Sequence, residues 1–432
     1  MERFSVLVAC LCVCISGAVM AQDFDLSASP TAVGSGARAM GLGNAFIAVA
    51  DDATAASWNP GGLSQLERPE LSLAIEGMHE HSDMRVSQHP EASGSHSFEL
   101  ADLNYLSLVY PFQRMGRNMV FSLNYLKQYR LGKDLYFHHE EVSGFGAPFM
   151  DINDIWMKQD GELTSLSPAF GVDVTDRLAL GIAVNIWNHG VTGASKFRRE
   201  VYQELRWGAD GFFWVQETPS IFTSTYEVEK GYSVAIGALY RLSEEWTFGA
   251  VAKPAYKLRL DRDDRANLLY EDLDDVLEFP WVAGAGVAWR PSDTLTLSSD
   301  VTWTQWSEYT LYDDRYLEEE NPRNPLNSGH SISEAECDDV FTCRFGMEYL
   351  IVREESVVPL RCGLAYDPGP AIDQIDEYYT ASVGIGYQRG RFMADLAYEL
   401  RWGDDTGTSI RGVSASQDSL RQRLLLSLIV YL

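Results

Sequence analysis

Several groups of residues in this 432-residue chain have types that could do chemistry. Gly34-Ser35-Gly36-Ala37-Arg38-Ala39 matches the glycine-rich turn that cradles a dinucleotide pyrophosphate, in its Ala-ended form. That chemistry needs a strand before the turn and a helix after it. Here "DLSASPTAV" precedes it and no alternation of strands with helices follows, so no nucleotide cofactor is expected. His79, Glu80, His81, His89 and His96 are metal-ligand types in a loose group; metal binding is open to them, and a solvated loop is the default reading. The acidic blocks at 261–275 and 312–320 offer calcium-type oxygens but lack an EF-hand spacing, so solvated surface is again expected. No G-x-S-x-G elbow occurs, and no Ser or Asp is singled out beside a His. Neither catalysis nor a resident metal is expected.

The elements that must position any functional group begin after an exported leader. Arg3 followed by an apolar run to residue 19, then Val19-Met20-Ala21, reads as a signal peptide cut after Ala21. Leu7-Val8-Ala9-Cys10 resembles a lipoprotein box but comes too early to leave a full apolar region. Cys10, Cys12 and Cys14 leave with the signal. Of the rest, Cys337 and Cys343 could close a small disulfide loop, with Cys362 single. The net charge of −28 argues against a nucleic-acid partner, because phosphate binding needs a basic face.

Beyond residue 67 the hydrophobic period is two. In 391–402, "RFMADLAYELRW", Phe392, Ala394, Leu396, Tyr398, Leu400 and Trp402 share one face, while the other is mostly charged. An apolar face ending in aromatic residues, backed by a polar face, is the pattern of a strand between lipid and a polar lumen. Strands are expected at 68–81, 102–112, 117–131, 161–175, 178–190, 226–242, 246–260, 279–290, 294–309, 342–353, 357–367, 377–389, 391–402 and 418–432. They run to about twice the strand length usual in a soluble sandwich. Connections alternate short (near 113–116, 176–177, 243–245, 291–293, 354–356 and Gly390) and long (82–101, 132–160, 191–225, 261–278, 310–341, 368–376 and 403–417). That asymmetry predicts an all-β fold, a transmembrane antiparallel β-barrel of about fourteen strands with both termini on the periplasmic side. Pro168 and Pro254 fall inside strands, where proline cannot donate to the ladder; each is expected to mark a bulge, kink or strand start, and a gap in the wall is the sharper reading.

The order of several segments resembles the FadL/TodX outer-membrane transporters of long-chain fatty acids and other hydrophobic compounds. These are "GSGARAMGLGNAFIAVADDATAASWNPGGL", "SLSPAFGVDVTDRLALGIAVNIW", "PWVAGAGVAWRPSDTLTLSSDVTWTQWSEY", "LRCGLAYDPGP" and "YYTASVGIGYQRGRFMADLAYEL". Asn59-Pro60-Gly61 stands where the family carries Asn-Pro-Ala. The resemblance implies an N-terminal hatch (plug) inside the lumen, so the expected division is signal 1–21, hatch 22–67 and barrel 68–432. It also implies passive uptake of an apolar molecule, with no cofactor, by a monomeric protein set among outer-membrane lipid and lipopolysaccharide. Asn59, Pro60 and Gly61 are then expected to form a turn, with Asn44 and Phe46 facing the lumen. The residue run "GFFWVQ" is unusually apolar for a loop, so Phe212, Phe213 and Trp214 are expected to capture ligand, or else to fold back over the barrel mouth. A secretion-associated or structural barrel that docks exported proteins is the alternative.

Overall fold

The computed structural model describes residues 31–87, 90–143, 149–209, 212–215, 220–266, 269–312, 325, 337–370, 375–410 and 413–432. The expected signal peptide and His89 lie outside them. Fourteen strands form the wall: β1 (Glu70–Val86), β2 (Gly94–Arg114), β3 (Arg117–Arg130), β4 (Phe149–Asp173), β5 (Leu178–Trp187), β6 (Ser220–Arg241), β7 (Trp246–Lys253), β8 (Val282–Ser292), β9 (Leu295–Thr304), β10 (Val340–Val352), β11 (Val357–Tyr366), β12 (Tyr379–Arg389), β13 (Phe392–Ile410) and β14 (Val413–Tyr431). Each pairs antiparallel with the next, and β1 pairs with β14 from Glu70↔Tyr431 to Val86↔Ala415, so the sheet is closed. Closure removes every unpaired edge, which the hydrocarbon interior of a membrane demands.

The period-two pattern sorts side chains as expected. Along β14, Ser419, Arg421, Arg423, Leu425 and Ser427 point inward and are buried, while Leu420, Leu424 and Leu428 are exposed. The outer face is an apolar belt bounded by aromatic rows. Near the short turns Trp246 stacks on Trp289 at 5.5 Å; at the other margin Tyr379 lies 6.1 Å from Trp402 and 5.6 Å from Tyr366. Tyr379 and Tyr387 mark both margins of β12, about 26 Å apart along the strand at ~3.3 Å per residue. This is the surface of a transmembrane barrel.

The long connections differ from the open loops expected. Most are the wall strands carried onward as hairpins. On one side Lys133–Ser143, Lys196–Ala209, Tyr256–Ala266, Leu269–Phe279 and Thr310–Tyr312 pair with the upper parts of β4 and β6 and with one another, building a β crown. The strand expected at 246–260 is broken. The chain leaves the ladder at Pro254 and Ala255, and pairing with β6 stops at Ile236↔Ala252 and resumes at Gly231↔Leu258. Pro168 stays within β4, but the β4–β5 ladder skips from Leu166↔Ile186 to Ala169↔Ala183 across it. Cys337 and Cys343 are not bridged: Cys343 is held within β10, opposite Val301 and Tyr366.

Candidate functional site

The lumen is filled from below by residues 31–69, an irregular segment of small residues with two short helical turns, Ala37–Gly41 and Ala55–Trp58, and a 3-10 turn, Pro60–Gln65. No regular periodicity is needed, because the wall supplies the hydrogen bonds that this backbone cannot make to itself. Inward side chains bind it on many sides. Ser427 accepts from Ala37 N (2.7 Å), Ser382 from Gly43 N (3.0 Å) and Asp300 from Ile47 N (2.8 Å). Tyr105 donates to Ala53 O (2.6 Å), Asn118 to Ser64 O (2.6 Å) and Lys253 to Ser57 O (3.2 Å). Arg38 is the central cation. It bridges Asp51 at 2.5 Å within the hatch and the β10 carboxylate Glu348 at 3.0 Å, and Glu348 in turn accepts from Arg361 at 2.6 Å. Burial opposes the charge on Arg38, but Asp51 and Glu348 hold it firmly protonated. Asp52 is also buried, and burial pushes its carboxyl up, against the pull of Arg38 and Thr54.

Asn59 is completely buried and caps the Pro60–Gln65 turn, accepting from Gly61 N at 3.0 Å. Its amide donates to Ile47 O (2.8 Å) and to Ala238 O of β6 (3.0 Å), so one side chain ties the turn to the hatch and to the wall. The wall makes room for this turn with glycine. A Cβ at Gly181 would stand 2.1 Å from Pro60 O, and one at Gly237 2.1 Å from Asn59 Oδ1. Asn44 has φ 62°, a left-handed conformation that asparagine tolerates, and donates to Glu399 of β13 at 3.2 Å. Phe46 was expected, with Asn44, to face the lumen. It is fully buried in the hatch core, edge-on to Trp58 with centroids 6.3 Å apart.

Farther from the short turns the lumen becomes apolar on the side of the crown. Tyr129 stacks on Phe279 (4.6 Å), Phe279 on Tyr256 (5.1 Å) and Tyr256 on Trp187 (5.6 Å); Tyr309 and Trp306 extend the cluster. Leu131, Leu163, Leu258 and Leu277 complete this buried apolar cluster. The Trp187 indole N–H is satisfied by Ser233 at 3.0 Å, so the stacked aromatic cluster hides its polar edge. Only fragments of this cluster were visible in the period-two pattern, because its members come from β3, β4, β5, the turn after β9 and the crown and meet only when the barrel closes. Phe212, Phe213 and Trp214 lie in the short strand Phe212–Val215, paired with Arg206–Ala209 in the crown.

Among the described residues, His79, His81 and His96 are not gathered into one centre. His79 meets Glu99 and His81 meets Ser97, each at 3.0 Å across β1 and β2, while His96 accepts from Tyr136 N. Among the described residues the group with ligand atoms close enough to share a cation is Asp261, Asp263 and Asp272, on the crown hairpin.

No family model and no curated protein matches the chain. Solved structures do. A FadL homologue of Pseudomonas aeruginosa aligns over 94% of this chain and 99% of its own at 17% identity, with a TM-score of 0.63. The toluene transporter TodX of P. putida aligns over 93% and 99% at 13% identity, TM-score 0.56. The toluene transporter TbuX of Ralstonia pickettii aligns over 94% and 99% at 12% identity, TM-score 0.51. The chain therefore has the FadL/TodX fold, a fourteen-stranded barrel.

Proposed function

We propose that this protein is an outer-membrane channel for the passive uptake of hydrophobic compounds. The observation that carries this reading is the buried aromatic cluster on the crown side of the lumen, seated above a hatch whose small side chains are almost wholly buried. An apolar molecule gains from leaving water for such a lining, at about 25 cal/mol per Å² of apolar surface, whereas a water-filled pore would offer it nothing. The transporters that share the fold support the same reading.

In this scheme the crown, with Phe212, Phe213 and Trp214, receives the compound at the cell surface. The aromatic cluster receives it next, with the stacked rings of Trp187, Tyr256 and Phe279 parting to admit it. Movement of the hatch at the Asn59-Pro60-Gly61 turn then opens the way onward, and the interruptions at Pro168 and Pro254 are where the wall gives most easily sideways, since neither proline can donate a ladder bond. No residue is assigned a catalytic role.

Proteoliposomes containing the protein should take up labelled hexadecanoate or toluene faster than protein-free vesicles. Trp187→Ala combined with Phe279→Ala should slow uptake at least several-fold while leaving the heat-dependent gel shift of the folded barrel intact. Equal rates with and without protein, for both compounds, would sink the proposal.

A further inference from the structure

The foot of β1 holds a carboxyl that neither the ion pairs of Arg38 nor the aromatic cluster uses. Glu70 opens the strand, opposite Tyr431 of β14 and Val109 of β2. It lies at the short-turn margin, outside the membrane-spanning stretch. Glu67 and Arg68 just before it are exposed, and the outward aromatic residues beside it are Tyr110 and Phe392. Glu70 itself points inward and is 1% exposed. There it meets the hatch at Ala53, whose peptide is gripped at both ends: Glu70 accepts from Ala53 N, and Tyr105 donates to Ala53 O at 2.6 Å.

Glu70 has no cation of its own to balance a charge. Its Oε1 makes no hydrogen bond. Arg38, the cation on this side of the hatch, is committed to Asp51 at 2.5 Å and Glu348 at 3.0 Å and stands 3.9 Å from Asp52. The other groups facing Glu70 are acidic or neutral: Asp51 and Asp52 from the hatch, Tyr105 from β2 and Tyr431 from β14. Asp395 of β13, along the same seam, is paired with Arg361 at 2.5 Å. Asp52 accepts from Thr54 N and from the Thr54 hydroxyl, at 2.8 and 2.6 Å, just before the turn Ala55–Trp58. An ionised Glu70 would therefore add an unpaired charge to a buried seam that already holds a carboxylate, which is costly where water is excluded. Burial first, and then the charge of Asp52, push the Glu70 carboxyl up to about 8. A small cavity between hatch and wall, lined by Asp52, Ser72, Tyr105, Asp395 and Ser427 among others, leaves room for water to carry a proton in and out.

We propose that Glu70 is a proton-operated clasp of the hatch: neutral, it holds Ala53 against β1 and β2; ionised, it confronts Asp52 as a like charge and that part of the hatch comes loose. The clasp concerns how the hatch is held and does not rest on the transport reading. A proton bound more tightly in the docked state than in the released one makes docking strongest below the ordinary glutamate value. That contribution is lost as pH rises through the docked value.

The test is amide hydrogen exchange of residues 52–59 in the full-length protein in non-ionic detergent, at pH 5 and pH 9, with the intrinsic pH dependence divided out. Wild type should exchange there roughly tenfold or more faster at pH 9 than at pH 5, while the wall strands β13 and β14 stay equally protected. Glu70→Gln should keep its protection at pH 9. Asp52→Asn, which removes the like charge, should shrink the loss seen in wild type, and it carries the test if Glu70→Gln shows no gel shift of a folded barrel. The clasp is overturned if wild-type protection of 52–59 is the same at both pH values, if Glu70→Gln loses protection at pH 9 as wild type does, or if Asp52→Asn leaves the loss undiminished.

Discussion

Arg38 concentrates more of the hatch's attachment than any other side chain described. It joins Asp51 of its own segment to Glu348 of the wall, and Glu348 is shared with Arg361, which meets Asp395 at 2.5 Å. Removing one member of such a buried set strands the others as uncompensated charges, at a cost of about 3–5 kcal/mol. Arg38→Ala should therefore loosen the hatch without opening the barrel. The expected outcome is faster thiol labelling of a cysteine placed at Ser57 at low urea, with the barrel's gel shift preserved; unchanged labelling would mean that Arg38 does not secure the segment. Little of this was legible beforehand. Asn59-Pro60-Gly61 announces a turn through its residue types alone. The partners of Arg38 and Asn44 stand 310 and 355 residues away, and nothing local marks them.

At the scale of elements, the membrane-facing strands were readable and the crown was not. Lipid on one face and lumen on the other enforce strict alternation, so β1 to β14 could be traced from residues such as Phe392, Leu396 and Tyr398. Above the membrane both faces of a hairpin can be polar, the alternation fades, and 261–278 looked like a loop although it forms the paired strands Tyr256–Ala266 and Leu269–Phe279. That hairpin places Asp261, Asp263 and Asp272 side by side. Partial burial, then Asp272 and Asp263, raise the Asp261 carboxyl above the ordinary Asp range. A raised carboxyl stabilises the folded hairpin fully below the ordinary Asp value, and that contribution is lost as pH rises through the folded value. Amide exchange in 256–279, corrected for its intrinsic pH dependence, should accordingly be slower at pH 4 than at pH 7. Faster exchange at pH 4 would show that the repulsion is not felt.

For the whole molecule, the apolar belt decides where the protein can exist. Val383 lies on β12 between Tyr379 and Tyr387, facing outward and 57% exposed. Val383→Arg should cost about 2–4 kcal/mol of barrel stability in a bilayer, read as a lower urea midpoint for unfolding from vesicles. The inward neighbour Ser382 already accepts a bond from the hatch at Gly43, so the two faces of one strand answer to different solvents. A Val383→Arg barrel as stable as wild type in lipid, and not only in detergent, would contradict the assigned belt.

The closing ladder carries a consequence for how the protein is made. Ala37 N bonds Ser427, 390 residues later, and Leu432 N bonds Pro69 O beside the first wall strand. The earlier segment thus gains this partner only when the later one is in place, as β14 meets β1. Contacts this distant in the chain form slowly. Assembly is therefore a matter of order as much as of affinity. The hatch has its full set of wall partners only once the cylinder is closed.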